Sequence, residues 1–142
     1  MNTDLNSAWP NLLKPTNLIF WQNEWTKHGT CTSFQQDQWK YFALGLEIQK
    51  RINLDATLKA ANIVPDDNKY YTMADFNSTI FASLRAYPEL MCEARKDPKG
   101  RKGGLFYLLE IRVCLDEAGA NYKNCTNSPK SCGTGKNIIF KV

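Results

Sequence analysis

The chain has 142 residues, 43% of them apolar, and carries a formal charge of +4 from 18 basic and 14 acidic side chains. That is enough chain to bury the core of one domain, 1–142, and no apolar run approaches the ~20 residues needed to cross a bilayer, so no membrane partner is expected. The mild basic excess suits a polyanion but is also common in soluble proteins, and the polar opening Met1-Asn2-Thr3-Asp4-Leu5-Asn6-Ser7 lacks the charged start and apolar stretch of a signal peptide.

In chain order, Pro10 and Pro15 bracket a loop after a short first segment. Residues 17–28 read as a helix, with Gly29 at its end, where a left-handed residue is expected. Residues 36–52 read as a second helix with two apolar stripes, Trp39, Phe42, Ala43 and Leu46 on one side and Tyr41, Leu44, Ile48 and Ile52 on another. Stripes on both sides imply two covering neighbours. A short helix is expected near 56–61, before Pro65. Thr72-Met73-Ala74-Asp75 reads as a capping box, opening a helix with Met73, Phe76, Ile80 and Leu84 on one face and Asn77 turned away from it.

The last third changes period. Stretches 89–94 and 104–115 read as strands, with Leu109, Ile111 and Val113 alternating against Glu110 and Arg112, and Ile138, Phe140 and Val142 alternate as a terminal strand. Helices first and strands later predict an α+β fold, a central antiparallel sheet flanked by helices. Between the first two strands, Arg95-Lys96-Asp97-Pro98-Lys99-Gly100-Arg101-Lys102 reads first as a solvated hairpin tip that discourages edge pairing. An electrostatic guide for RNA is the second reading.

Five cysteines, Cys31, Cys92, Cys114, Cys125 and Cys132, accompany a single histidine and no Cys-x-x-Cys pair. That pattern argues for disulfides in an oxidising compartment, with one cysteine left over, and against zinc. Asn77-Ser78-Thr79 is a glycosylation acceptor, and Asn124-Cys125-Thr126 a weaker one.

The richest segment is the first long helix. Glu24, Lys27 and His28 stand at i, i+3 and i+4 and project from one face, with Phe20 one turn earlier. A neutral imidazole could take the proton from an RNA 2′-hydroxyl as it attacks phosphorus. An ammonium and a carboxyl could then stabilise charge on the phosphoryl oxygens. The same residues also suit a plain solvated face with an i, i+3 ion pair, and the aromatics suit a core.

Phe20-Trp21-Gln22-Asn23-Glu24-Trp25-Thr26-Lys27-His28-Gly29-Thr30-Cys31 closely resembles the second active-site segment of the T2 ribonuclease family in its plant branch. Asp4-Leu5-Asn6-Ser7-Ala8-Trp9-Pro10-Asn11-Leu12, the stretch from Leu108 to Asp116 and the terminal Ile138-Ile139-Phe140 resemble further family segments, so the likeness runs along the whole chain. It implies His28 as general base, with Glu24 and Lys27 stabilising a phosphorane-like transition state. It also implies Phe20, Asn11 and Leu13 around a base. Asn23 stands where the motif usually has His, and would bond a phosphate without carrying charge. Single-stranded RNA is the implied partner and a 2′,3′-cyclic phosphate the product. The resemblance implies no cofactor, no metal and a monomer, secreted or vacuolar. Cys114 would pair with Cys125 and Cys92 with Cys132, leaving Cys31 unpaired.

The family's other active-site segment, of the form Ile-His-Gly-Leu-Trp-Pro, supplies the general acid and does not occur in these 142 residues. The expectation is therefore a carboxy-terminal portion lacking the first strands of the family fold, cleaving RNA poorly when unaided. The alternative is a non-catalytic secreted protein for RNA binding, storage or self-incompatibility recognition.

Overall fold

Aromatic side chains organise the first third. The computed structural model describes residues 2–13, 16–32, 37–96, 105–126, 132 and 138–141, and these fall into two compact units, Met1–Asn53 with Glu117–Gly119, and Leu54–Asp116 with Ala120–Val142. In the first unit, helix α1 (Asn2–Ala8), helix α2 (Asn17–Lys27) and helix α3 (Gln38–Ile52) enclose a core of Leu5, Trp21, Phe42 and Leu46. Ala8, Trp9, Phe20, Trp25 and Tyr41 edge it. Trp9 meets Phe42, and Trp25 meets Tyr41, edge-on at 5.6 Å between ring centres, a geometry favoured by ring quadrupoles. The Trp21 indole N–H donates to the Trp9 carbonyl at 2.9 Å, so this buried ring keeps a polar partner.

Helix α1 was expected only as a short unassigned segment. It forms with Leu5 in the core and Trp9 against α3, where a Cβ at Gly45 would fall 2.9 Å from the indole. Helix α3 is capped by Asp37, whose side chain accepts the Lys40 backbone N–H at 2.9 Å. That bond holds the Asp37 carboxyl below its ordinary pKa. The helix ends at Asn53 in the left-handed conformation. The two-sided cover expected for α3 fails at its start: Phe42 and Leu46 are buried, but Trp39 is 62% exposed.

The second unit has helix α4 (Leu54–Ala60), two residues ahead of the expected start, and helix α5 (Met73–Leu84). The capping box is formed, with Asp75 N–H donating to Thr72 Oγ1 at 3.1 Å and Thr72 N–H to the Asp75 carboxylate at 2.7 Å. Phe76 and Ile80 have no exposed surface and join Leu58, Ile63, Tyr71, Leu90, Cys132 and Ile138 in one core. Asn77 is half-buried.

Strand β1 (Glu89–Arg95) pairs antiparallel with β2 (Leu105–Arg112). Strands β3 (Cys114–Leu115) and β4 (Tyr122–Lys123) form a small antiparallel ribbon, and β5 (Ile138–Ile139) closes the larger sheet. The chain thus adopts the α+β class. Two details depart from the sequence reading. The sheet is not wholly antiparallel: β5 runs parallel to β2, with Phe106 opposite Ile138 and Tyr107 opposite Ile139. In addition, Met91 faces Glu110 while Cys92 faces Leu108, leaving Leu109 as an extra residue in a bulge. The alternation Leu109, Ile111, Val113 therefore breaks. Phe106, Leu108 and Ile111 pack on the core, and Leu109 is 61% exposed.

Disulfides join Cys92 to Cys132 across 40 residues and Cys114 to Cys125 across 11, and Cys31 is free and exposed. The expected starts at 36 and 104, the turn at 97–102 and Val142 lie outside the described residues.

Candidate active site

The site candidates lie on α2 and the turn before it. Trp21 anchors the helix in the core, which leaves Asn23, Lys27 and His28 exposed and Glu24 and Phe20 half-buried. His28 is the residue at which the helix stops: its N–H still donates to the Glu24 carbonyl at 2.9 Å, and its carbonyl accepts the Cys31 N–H at 3.3 Å. The backbone of His28 is thus fixed on both sides while its imidazole faces solvent. Among the described residues, Glu24, Lys27 and His28 form no ion pair. The solvated i, i+3 salt bridge weighed above is therefore not what holds them.

A short 3-10 turn, Gly29–Cys31, follows the helix. Gly29 was expected in a left-handed conformation, and it is not. Its requirement is close approach: a Cβ here would lie 2.1 Å from Cε3 of Trp25. The ring of Trp25 is wedged between the turn and Tyr41. The turn is tied down further by Thr30 Oγ1 donating to the Thr26 carbonyl at 3.0 Å and by Thr32 Oγ1 donating to the Gly29 carbonyl at 2.7 Å. A chain that leaves α2 along one defined path presents His28 in one orientation of its backbone.

Two of the residues expected around a base, Asn11 and Leu13, share a side-chain turn. Asn11 Oδ1 accepts the Leu13 N–H at 3.0 Å, and the Asn11 N–H donates to Asn17 Oδ1 at 2.7 Å. Asn17, the first residue of α2, also donates through Nδ2 to Asn6. Asn11 and Leu13 are thereby held to the start of the helix that carries Phe20. Leu13 is 80% exposed, an apolar side chain offered to solvent rather than to the core. Sequence reading missed Asn17 as the residue positioning Asn11. It also missed Tyr41, whose hydroxyl pKa is raised by burial and, secondarily, by the nearby Glu24 charge. Neither has a local signature, because each acts across separate elements.

A family model for the Ribonuclease T2 family matches residues 1–125, so the match runs through both units and through the whole of α2. The chain belongs to the Ribonuclease T2 family. It is 35% identical to Ribonuclease 3 of Arabidopsis thaliana over 129 residues, covering 89% of this chain and 55% of that protein. It is 32% identical to Ribonuclease S-7 of Nicotiana alata, covering 96% of this chain and 61% of that one. The solved structure of ribonuclease MC1 from bitter gourd seeds superposes with a TM-score of 0.80 at 29% identity, covering 98% of this chain and 68% of that chain. The chain therefore spans little more than half the length of these two curated relatives.

Proposed function

We propose that this chain carries the base-and-stabiliser side of an RNA-cleaving site, acting on single-stranded RNA by attack of the 2′-hydroxyl on its own phosphate. The observation that carries this reading is the exposed His28 on a fixed backbone, one helical turn from Glu24 and next to Lys27. His28 Nδ1 or Nε2 takes the 2′-hydroxyl proton as the oxygen attacks phosphorus. Lys27 offsets the charge that grows on the phosphoryl oxygens, and Glu24 orients or shares a proton with these groups. Asn23 donates a neutral hydrogen bond to phosphate. Phe20, with Asn11 and Leu13, receives the base. Expulsion of the 5′-oxygen leaves a 2′,3′-cyclic phosphate and needs a proton donor. A second imidazole for that step is not present in these residues, since His28 is the sequence's one histidine. That observation favours a second reading, a form that binds RNA without cutting it.

Two disulfides favour residence in an oxidising compartment, extracellular or vacuolar, and we propose Asn77 as a glycan acceptor and the chain as a monomer. A part in self-incompatibility or in storage belongs to the same proposal.

Because the chain has one histidine, its imidazole proton resonance is a single clean probe. Adding uridine 3′-phosphate is expected to shift that resonance, and Phe20→Ala to diminish the shift. A dinucleotide substrate is expected to give cyclic phosphate at a rate that falls about 10²-fold or more in His28→Ala. A nucleotide shift without any turnover selects the binding form. No shift at millimolar nucleotide, with turnover equal in His28→Ala, sinks the reading.

A further inference from the structure

A second surface of this chain has a composition suited to nucleic acid. On the second unit, Glu93, Ala94, Arg95, Lys96, Tyr107, Leu108, Leu109 and Lys141 line a groove of ≈ 760 Å³. Three of these are cations and one is a carboxylate. Glu93 is already engaged, its Oε2 2.8 Å from the Arg95 guanidinium. Among the described residues Lys96 and Lys141 form no ion pair. A concave surface with low-dielectric walls and an excess of one sign focuses its field outward and concentrates counter-ions.

The floor of the groove is not merely polar. Phe106 and Leu108 pack on the core, so Tyr107 between them faces the opposite side of β2. The Arg95 guanidinium carbon lies 5.9 Å from the Tyr107 ring centre, which leaves a flat ring flanked by a cation. Leu109, in phase with Tyr107, presents an exposed apolar side chain on the same surface, and the bulge there is what returns Ile111 to the core. Phosphate-binding cations around an aromatic ring and an apolar shelf are the parts of a sequence-tolerant single-strand platform, where the backbone is held by charge and a base by stacking.

We propose that this face of the β1–β2 pair is a groove for single-stranded RNA, with Arg95, Lys96 and Lys141 taking phosphates and Tyr107 a base. The choice of RNA among polyanions rests on the ribonuclease reading above; the groove itself rests on its own geometry. It gives the chain an RNA contact that neither Phe20, Asn11 nor Leu13 supplies, and it predicts that long strands bind better than mononucleotides.

The test uses the full 142-residue chain and a labelled 20-nucleotide 2′-O-methyl RNA, which lacks the attacking hydroxyl and so survives the measurement. Fluorescence anisotropy is read across a salt series. Lys96→Gln with Lys141→Gln is expected to weaken binding roughly tenfold at low salt and to lower the slope of log K against log salt by about 1.4, the loss of two phosphate contacts. Tyr107→Ala is expected to weaken binding roughly tenfold while leaving that slope unchanged. The lysine pair is exposed surface and tests the proposal even where Tyr107→Ala fails to fold. Unchanged affinity and slope in the lysine variant would overturn the groove. Heparin bound as tightly as RNA, with Tyr107→Ala silent, would make it a general polyanion surface and overturn the RNA assignment. Recording the His28 resonance with uridine 3′-phosphate in the same lysine variant separates the two proposals. Loss of the nucleotide shift in wild type with the groove intact removes the nuclease reading alone.

Discussion

The two units solve the problem of a small core in different ways. The first is built from rings: Trp9, Trp21, Trp25, Tyr41 and Phe42 meet one another, and no disulfide lies within it. The second is built from Phe76, Ile80, Leu90 and Ile138 in contact with Cys132, which a disulfide fixes to β1. Exposure differs accordingly. Among the described residues, Leu12, Leu13, Leu18, Ile19 and Trp39 are exposed in the first unit, while Leu109, Tyr70 and Tyr87 are the exposed large apolar side chains of the second. Rings give large contact areas from few residues and tolerate a half-open edge. The second core mixes aliphatic side chains with Tyr71 and Phe76, and a covalent tie adds to what its buried area supplies. The candidate catalytic face sits on the open, ring-built unit, where side chains are free to meet a substrate.

The largest expected effect comes from removing that tie. Cys92→Ala with Cys132→Ala should cost roughly 4 kcal/mol, the loop-closure value for a crosslink of this span. All four tryptophans belong to the first unit, so indole fluorescence follows that unit and far-UV dichroism at the strands follows the second. The dichroism midpoint in urea should move by the larger amount. Equal shifts in both signals would mean that the units unfold as one, and the contrast drawn above would be lost.

An intermediate effect is expected in the ring-built unit. Gly29→Ala places a methyl group inside the Trp25 ring, and overpacking of this kind costs about 1–3 kcal/mol. Fluorescence should report a displaced indole, nucleotide-induced shifts at His28 should weaken, and the strand signal should stay put. A variant as stable as wild type, with unaltered fluorescence, would show that the wedge is not tight.

The smallest effect concerns pH. Burial raises the Tyr41 hydroxyl above its ordinary value of 10.0, with Glu24 adding to the shift. The folded state therefore holds this proton more tightly than the unfolded chain does. The stabilisation is fully present below the unfolded phenol pKa and is lost as pH rises through and beyond it. Fluorescence-detected stability should drop as pH rises above about 10, and Tyr41→Phe should flatten the drop. An identical decline in Tyr41→Phe would assign it to other groups.

Much of this protein was legible without coordinates, and for local reasons. The spacing of Glu24, Lys27 and His28 on one helix, the Thr72–Asp75 cap and the apolar face of α5 are set by neighbours three or four residues apart, which periodicity reports directly. The odd count of cysteines was equally plain. Only the tertiary structure decided the rest. Leu109 and Ile111 fall on opposite faces because β1 and β2 differ by one residue across the bulge, which no pattern within β2 reveals. β5 runs parallel to β2 through a pairing about thirty residues apart in sequence. Gly29 is required by the Trp25 ring and not by its own backbone angle. Asn17 holds Asn11 across a loop, and Trp39 stays exposed although its stripe reads as covered. Sequence by itself determined what each helix face carries, because helical neighbours are close in the chain. The fold decided which faces are covered and how the site's backbone is held, because those contacts join residues that only packing brings together.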